Sequence, residues 1–153
     1  MNTLRNSGSR DYNKSMADFE IIDVRADVGL IAYGKELKTA FENAAAGMFS
    51  IMIETETIIE KDCFNVEVGA ENIEDLLVAW LNELIYLFET KGFVPAKCNI
   101  KELSETHLRA KVFGEGFSSE KHRPKTIVKA ATYHDLEIKK DDSSYRIKVI
   151  LDV

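Results

Sequence analysis

Residues 19–23 and 28–33 are two apolar runs of strand length, separated by the short polar break Arg25-Ala26-Asp27 and punctuated by Gly29 and Gly34. From Leu37 the period changes. Leu37, Ala40, Phe41, Ala44, Ala45, Met48 and Met52 recur at three- and four-residue steps, which predicts a helix with one apolar stripe. Residues 63–68 alternate again, with Phe64, Val66 and Val68 on one face. Asn72 then reads as an N-cap, with Glu74 and Asp75 favouring the positive end of a second helix. The stripe of that helix runs through Leu76, Leu77, Trp80, Leu81, Leu84, Ile85 and Phe88. Gly92 is placed to close it, with Pro95 shortly beyond.

The remainder reads as strands. Residues 98–103 and 108–113 flank a turn at Ser104-Glu105-Thr106. Residues 126–139 and 145–153 flank the turn Lys140-Asp141-Asp142-Ser143-Ser144. Residues 114–124 are polar and read as an exposed, mobile loop. The pattern predicts an α+β fold, two helices packed on a largely antiparallel sheet. Residues 1–18 read as an N-terminal tail and residues 19–153 as a single domain, since 153 residues leave little room for a second core.

Composition narrows the function. The net charge is −6 and the pI about 5.2, which disfavours a general nucleic-acid binder, although a local basic patch is compatible with that average. Cys63 and Cys98 are too few for a disulfide framework or a cysteine zinc site, and each reads as a buried free thiol. The apolar runs are too short to span a bilayer, and the polar N-terminal stretch lacks the apolar block of a secretory signal. A cytoplasmic location is expected.

No phosphate-binding loop, dinucleotide fingerprint, zinc-protease helix or nucleophile elbow occurs, and His107, His122 and His134 are scattered. Oxygen chemistry is the better prospect. Asp27 stands at a tight break between strands, and Asp152 stands on the last strand beside the carboxyl group of Val153. If those strands are neighbours, three carboxylates converge and their repulsion favours a hard divalent cation. On spacing alone the plainer reading is preferred: Asp27 bonding its own turn, Asp152 a solvated strand end.

At these residues the chain resembles the archease family. The segment Phe19-Glu20-Ile21-Ile22-Asp23-Val24-Arg25-Ala26-Asp27-Val28-Gly29, then Ala32-Tyr33-Gly34 and the helix from Leu37, is similar to the family's opening motif, F-x-x-x-x-H-T-A-D-V-G. Three more blocks match in order: the Leu76-Leu77 and Trp80-Leu81 core of the second helix, Lys129-Ala130-Ala131-Thr132-Tyr133-His134, and Val149-Ile150-Leu151-Asp152-Val153.

The resemblance implies two strand-helix-strand-strand modules, one nested in the other. It also implies an accessory role, not an enzymatic one: activation of an RtcB-type RNA ligase in tRNA splicing, by promoting its guanylylation and turnover. RNA would be met only through the ligase. A general chaperone or assembly module of the same fold is the alternative. The family's metal site carries over onto Asp27, Asp152 and Val153, with calcium the expected ion and magnesium or manganese the other candidates. Where the family has His-Thr, this chain has Val24-Arg25, which implies a built-in cation close to the metal ligands.

Overall fold

The computed structural model describes residues 18–153, so the stretch assigned to an N-terminal tail lies outside the described residues except for Asp18. Ten elements follow: β1 (Phe19–Val24), β2 (Asp27–Gly34), α1 (Leu37–Met52), β3 (Asp62–Gly69), α2 (Ile73–Lys91), β4 (Phe93–Leu103), β5 (His107–Gly116), β6 (Ala130–Ala131), β7 (Glu137–Lys140) and β8 (Tyr145–Asp152). The α+β class stands as the sequence implies, with one refinement: the strands form two sheets. One has the order β1-β2-β8-β6, with β7 also paired to β8, and the other has the order β3-β5-β4. All pairings are antiparallel.

The order of the strands exposes the duplication. In β3-α2-β4-β5 the first strand pairs with the last, and the last with the third. In β2-α1-β7-β8 the same relation holds, β2 to β8 and β8 to β7. The whole of the first module lies between α1 and β7 of the second, so one is nested in the other.

Each helix touches strands of both sheets, which explains why α1 is buried on nearly every side. Phe41, Ala44, Ala45 and Met48 are fully buried and pack with Leu30, Ala32, Val149 and Leu151. Three polar ties fix the layers. Trp80 Nε1 donates to Phe41 O at 3.0 Å and joins the helices. Glu42 Oε2 accepts from Ile100 N at 2.7 Å, holding α1 to β4 where that strand bulges. Asn82 Oδ1 accepts from Ala131 N at 2.8 Å, holding α2 to β6.

The helix ends obey the local signals. Asn72 Oδ1 accepts from Asp75 N at 2.8 Å, and Gly92 closes α2 at φ 61°, a left-handed conformation that glycine adopts without a Cβ penalty. Pro95 lies in β4 at a register shift, as expected for a residue that cannot donate to the ladder, on an edge strand.

Three sequence expectations change. Residues 126–139 are not one strand: only Ala130–Ala131 and Glu137–Lys140 pair, and Asp135 turns the chain between them at φ 52°. Cys63 is exposed, because it falls on the outward side of β3, whereas Cys98 is partly covered and burial pushes its thiol up to about 12, with the Glu42 charge adding to the effect. The stretch 114–124 is not a free loop. β5 continues to Gly116, Glu115 and His122 are buried, and the turn is pinned by their contact.

That contact is tightly specified. His122 Nδ1 accepts the Ser118 N–H at 2.9 Å, so Nε2 carries the hydrogen and donates to Glu115 Oε2 at 2.9 Å. Lys121 Nζ, 2.7 Å from the same oxygen, and the Ile59 N–H at 3.2 Å complete the set. Lys121, then His122, hold the Glu115 carboxyl at about 2, well below the usual carboxylate range.

Candidate metal centre

Asp27 is the first residue of β2 and Asp152 the last of β8. The register Val28↔Leu151, Gly29↔Ile150 and Leu30↔Val149 sets these strands antiparallel, so Asp27 and Asp152 stand opposite each other one step beyond the last pair. Side chains alternate along a strand. Leu30, Val149 and Leu151 point into the core, so Asp27 and Asp152 share the face turned away from the helices. Opposed residues of neighbouring strands bring their Cβ atoms to about 5 Å, and two like charges there are destabilising.

The backbone holds both positions from either side. Asp27 pairs with Val24 across a two-residue turn, and Asp152 pairs with Ala130 of β6 while its carbonyl accepts the Lys129 N–H at 2.7 Å. Asp27 is half-buried and Asp152 exposed. Among the described residues neither carboxylate forms an ion pair or a side-chain hydrogen bond. The turn-bonding reading of Asp27 therefore finds no support among those contacts. Also among the described residues, no group of three or more His, Cys, Asp or Glu side chains gathers as a metal cluster. The expected donor set differs from such a cluster, being two side chains and the carboxyl group of half-buried Val153, next to Asp152 in the chain. A donor set made of oxygens alone matches what calcium or magnesium takes.

Arg25 occupies the first central position of the hairpin turn with φ 55°, the position at which a type II′ turn has positive φ. A left-handed residue interrupts strand alternation, so the simple parity that would put residues 25 and 27 on one face does not apply. Arg25 is exposed and lies within ion-pair distance of neither Asp27 nor Asp152.

The Archease protein family (MTH1598/TM1083) matches residues 19–153. This chain belongs to the archease family. It is 35% identical over 139 residues to the protein archease of Sulfolobus acidocaldarius, covering 90% of this chain and 100% of that protein. Over 128 residues it is 40% identical to the protein archease of Thermococcus kodakarensis, covering 82% of this chain and 90% of its relative. The solution structure of Methanobacterium thermoautotrophicum protein 1598 superimposes with a TM-score of 0.76 at 36% identity, over 90% of this chain and 100% of that one. A crystal structure from Thermotoga maritima, described as an archease and possible chaperone, shares the fold at a TM-score of 0.54 and 23% identity, over 95% and 100% of the two chains.

Within the archease frame the opening and closing sequence blocks are brought together by β2–β8 pairing. The Lys129 to His134 block adjoins them through β6. The sequence reading missed the buried Glu115–His122 pair. The seven-residue spacing carries no motif, and only the return of the chain at Ser118 brings the two side chains together. No helix among the described residues is long and apolar enough to cross a membrane.

Proposed function

We propose that this archease is an accessory activator of an RtcB-type tRNA-splicing RNA ligase, promoting its guanylylation and turnover without itself carrying a catalytic residue. In this reading a divalent cation of the calcium type is held by Asp27, Asp152 and the carboxyl group of Val153. The observation that supports it is the pair of carboxylates, without a side-chain partner among the described residues, set opposite each other on β2 and β8. Their repulsion costs stability unless a cation joins them, and the ion would supply charge and a fixed geometry at that sheet end. The work of the chain's own residues is to hold the oxygens in place.

Two measurements test the two halves. Multiple-turnover RNA ligation by a cognate ligase should rise saturably at substoichiometric amounts of this protein, and an unchanged rate would reject the activator reading. Calorimetric titration with Ca²⁺ should show binding that Asp27→Ala and Asp152→Ala each abolish, with far-UV circular dichroism unchanged. Equal affinity in both variants would reject the site. The description of the Thermotoga maritima relative favours one rival, a general chaperone. That rival requires protection of unrelated proteins from aggregation in proportion to the amount added.

A further inference from the structure

At the opposite end of the five-stranded sheet from Asp27 and Asp152 lies a groove of about 680 Å³, bounded by the start of α1, the β4–β5 turn and the β7–β8 hairpin. Four lysines line it: Lys35 and Lys38 at the α1 entry, Lys101 on β4 and Lys140 at the end of β7. In a chain of net charge −6, this is a local reversal of sign. Among the described residues none of the four forms an ion pair, and Lys140 instead lies 5.6 Å from the centre of the Tyr145 ring. Glu36 and Glu105, also on the wall, leave the lining with an excess of positive charge.

We propose that this groove binds a short chain of phosphate groups. Lysine ammonium groups act as point charges toward phosphate, and four of them arriving from three separate segments surround a compact polyanion better than they would track an extended strand. The first turn of α1 reinforces them. Its N-cap, Glu36, forms no side-chain cap bond, and the turn itself holds Lys38 and no acidic residue, so its N–H groups add donors beside the lysines. Leu37, Ile73 and Leu103 give the groove an apolar floor beside the charges. β8 runs from the groove at Tyr145 to Asp152, so the two charged ends of the sheet stand about 23 Å apart at the usual strand rise. Binding here therefore does not depend on the cation site.

The chain of phosphates could be free or carried by a nucleotide, and titration distinguishes them. The full-length protein, in EDTA and moderate salt, is titrated calorimetrically with inorganic tripolyphosphate, with ATP and with a 12-nucleotide single-stranded RNA. Saturable one-to-one binding of tripolyphosphate or ATP is expected. Equal affinities identify the free chain as sufficient, and tighter ATP binding identifies a nucleotide as the carrier. Lys38→Glu with Lys101→Glu should weaken that binding by about tenfold or more, since each reversal replaces an attraction by a repulsion. The milder Lys101→Ala should weaken it less, and Lys111→Glu, on β5 away from the groove, should leave it unchanged. Absence of saturable binding by both small anions, indifference to the Lys38 and Lys101 changes, or RNA binding more tightly than either would overturn the proposal.

Discussion

Replacing Gly114 by alanine should destabilise the protein severely, while the same change at Gly116, two residues along the same strand, should cost almost nothing. A Cβ at Gly114 would lie 2.1 Å from the Val94 carbonyl oxygen and 2.9 Å from Pro95 Cα, both backbone atoms. A normal carbon–oxygen contact needs roughly 1 Å more, so β4 and β5 must part locally. They cannot do so freely. β5 is the central strand of its sheet, with Gly114 facing Asp62 on one side and Pro95 on the other, and its carbonyl accepts the Lys61 N–H at 3.0 Å. Losing about two ladder hydrogen bonds costs about 2 kcal/mol, and partly exposing Phe93 and Val94, now 2% and 0% exposed, costs about another 1–2. A total near 3–4 kcal/mol is a large share of the stability of a small domain. At Gly116 a Cβ meets nothing within 4 Å, so alanine there should stay within about 0.5 kcal/mol or gain slightly through lower unfolded-state entropy. Urea unfolding followed by the fluorescence of Trp80, the single tryptophan and fully buried, gives both values from one intrinsic probe. Equal midpoints for the two variants would refute the close-approach reasoning.

Trp80→Phe should cost about 2 kcal/mol in the same assay read by circular dichroism: about 1 for the hydrogen bond to Phe41 O and about 1 for the void left by the lost ring atoms; an unchanged midpoint would show that the helix tie is dispensable. Glu115 is depressed in the folded state, to about 2 from 4.5, so its contribution is complete above pH 4.5 and is lost as pH falls toward 2. Glu115→Gln should flatten the stability profile in that acid window, and an identical slope for both proteins would count against the ion-pair account. Arg25→Gly should raise stability by about 0.5–1 kcal/mol, since φ 55° is strained for arginine and free for glycine. A lower midpoint would contradict it.

Periodicity carried the helices and most strands, because α1 and α2 bury long apolar stripes with clear ends. Asn72 and Gly92 act at the caps as their chemistry requires. What periodicity could not carry is what tertiary pairing decides. The split into two sheets, the interruption of residues 126–139 at Asp135 and the pinning of 114–124 by His122 all depend on partners distant in sequence or on a single reversed φ. Cys63 shows the same limit, since alternation gives two faces but not which of them is covered. At the candidate site, the adjacency of Asp27 and Asp152 was conditional on strand neighbours that only the register supplies. The lysine groove had no linear signature at all, its members spread from Lys35 to Lys140.

The nesting of one module inside the other separates two kinds of folding event. β3, α2, β4 and β5 form a continuous stretch, residues 62–116, and can assemble through short-range contacts. β2 and β8 cannot, because Val28 meets Leu151 only after a loop containing that whole inner module has been closed. The paired acidic positions thus come into register only when that loop closes, and a chain in which the inner module alone has folded presents no such pair. A cation bound there would brace the long-range seam and would leave the short-range assembly of residues 62–116 untouched.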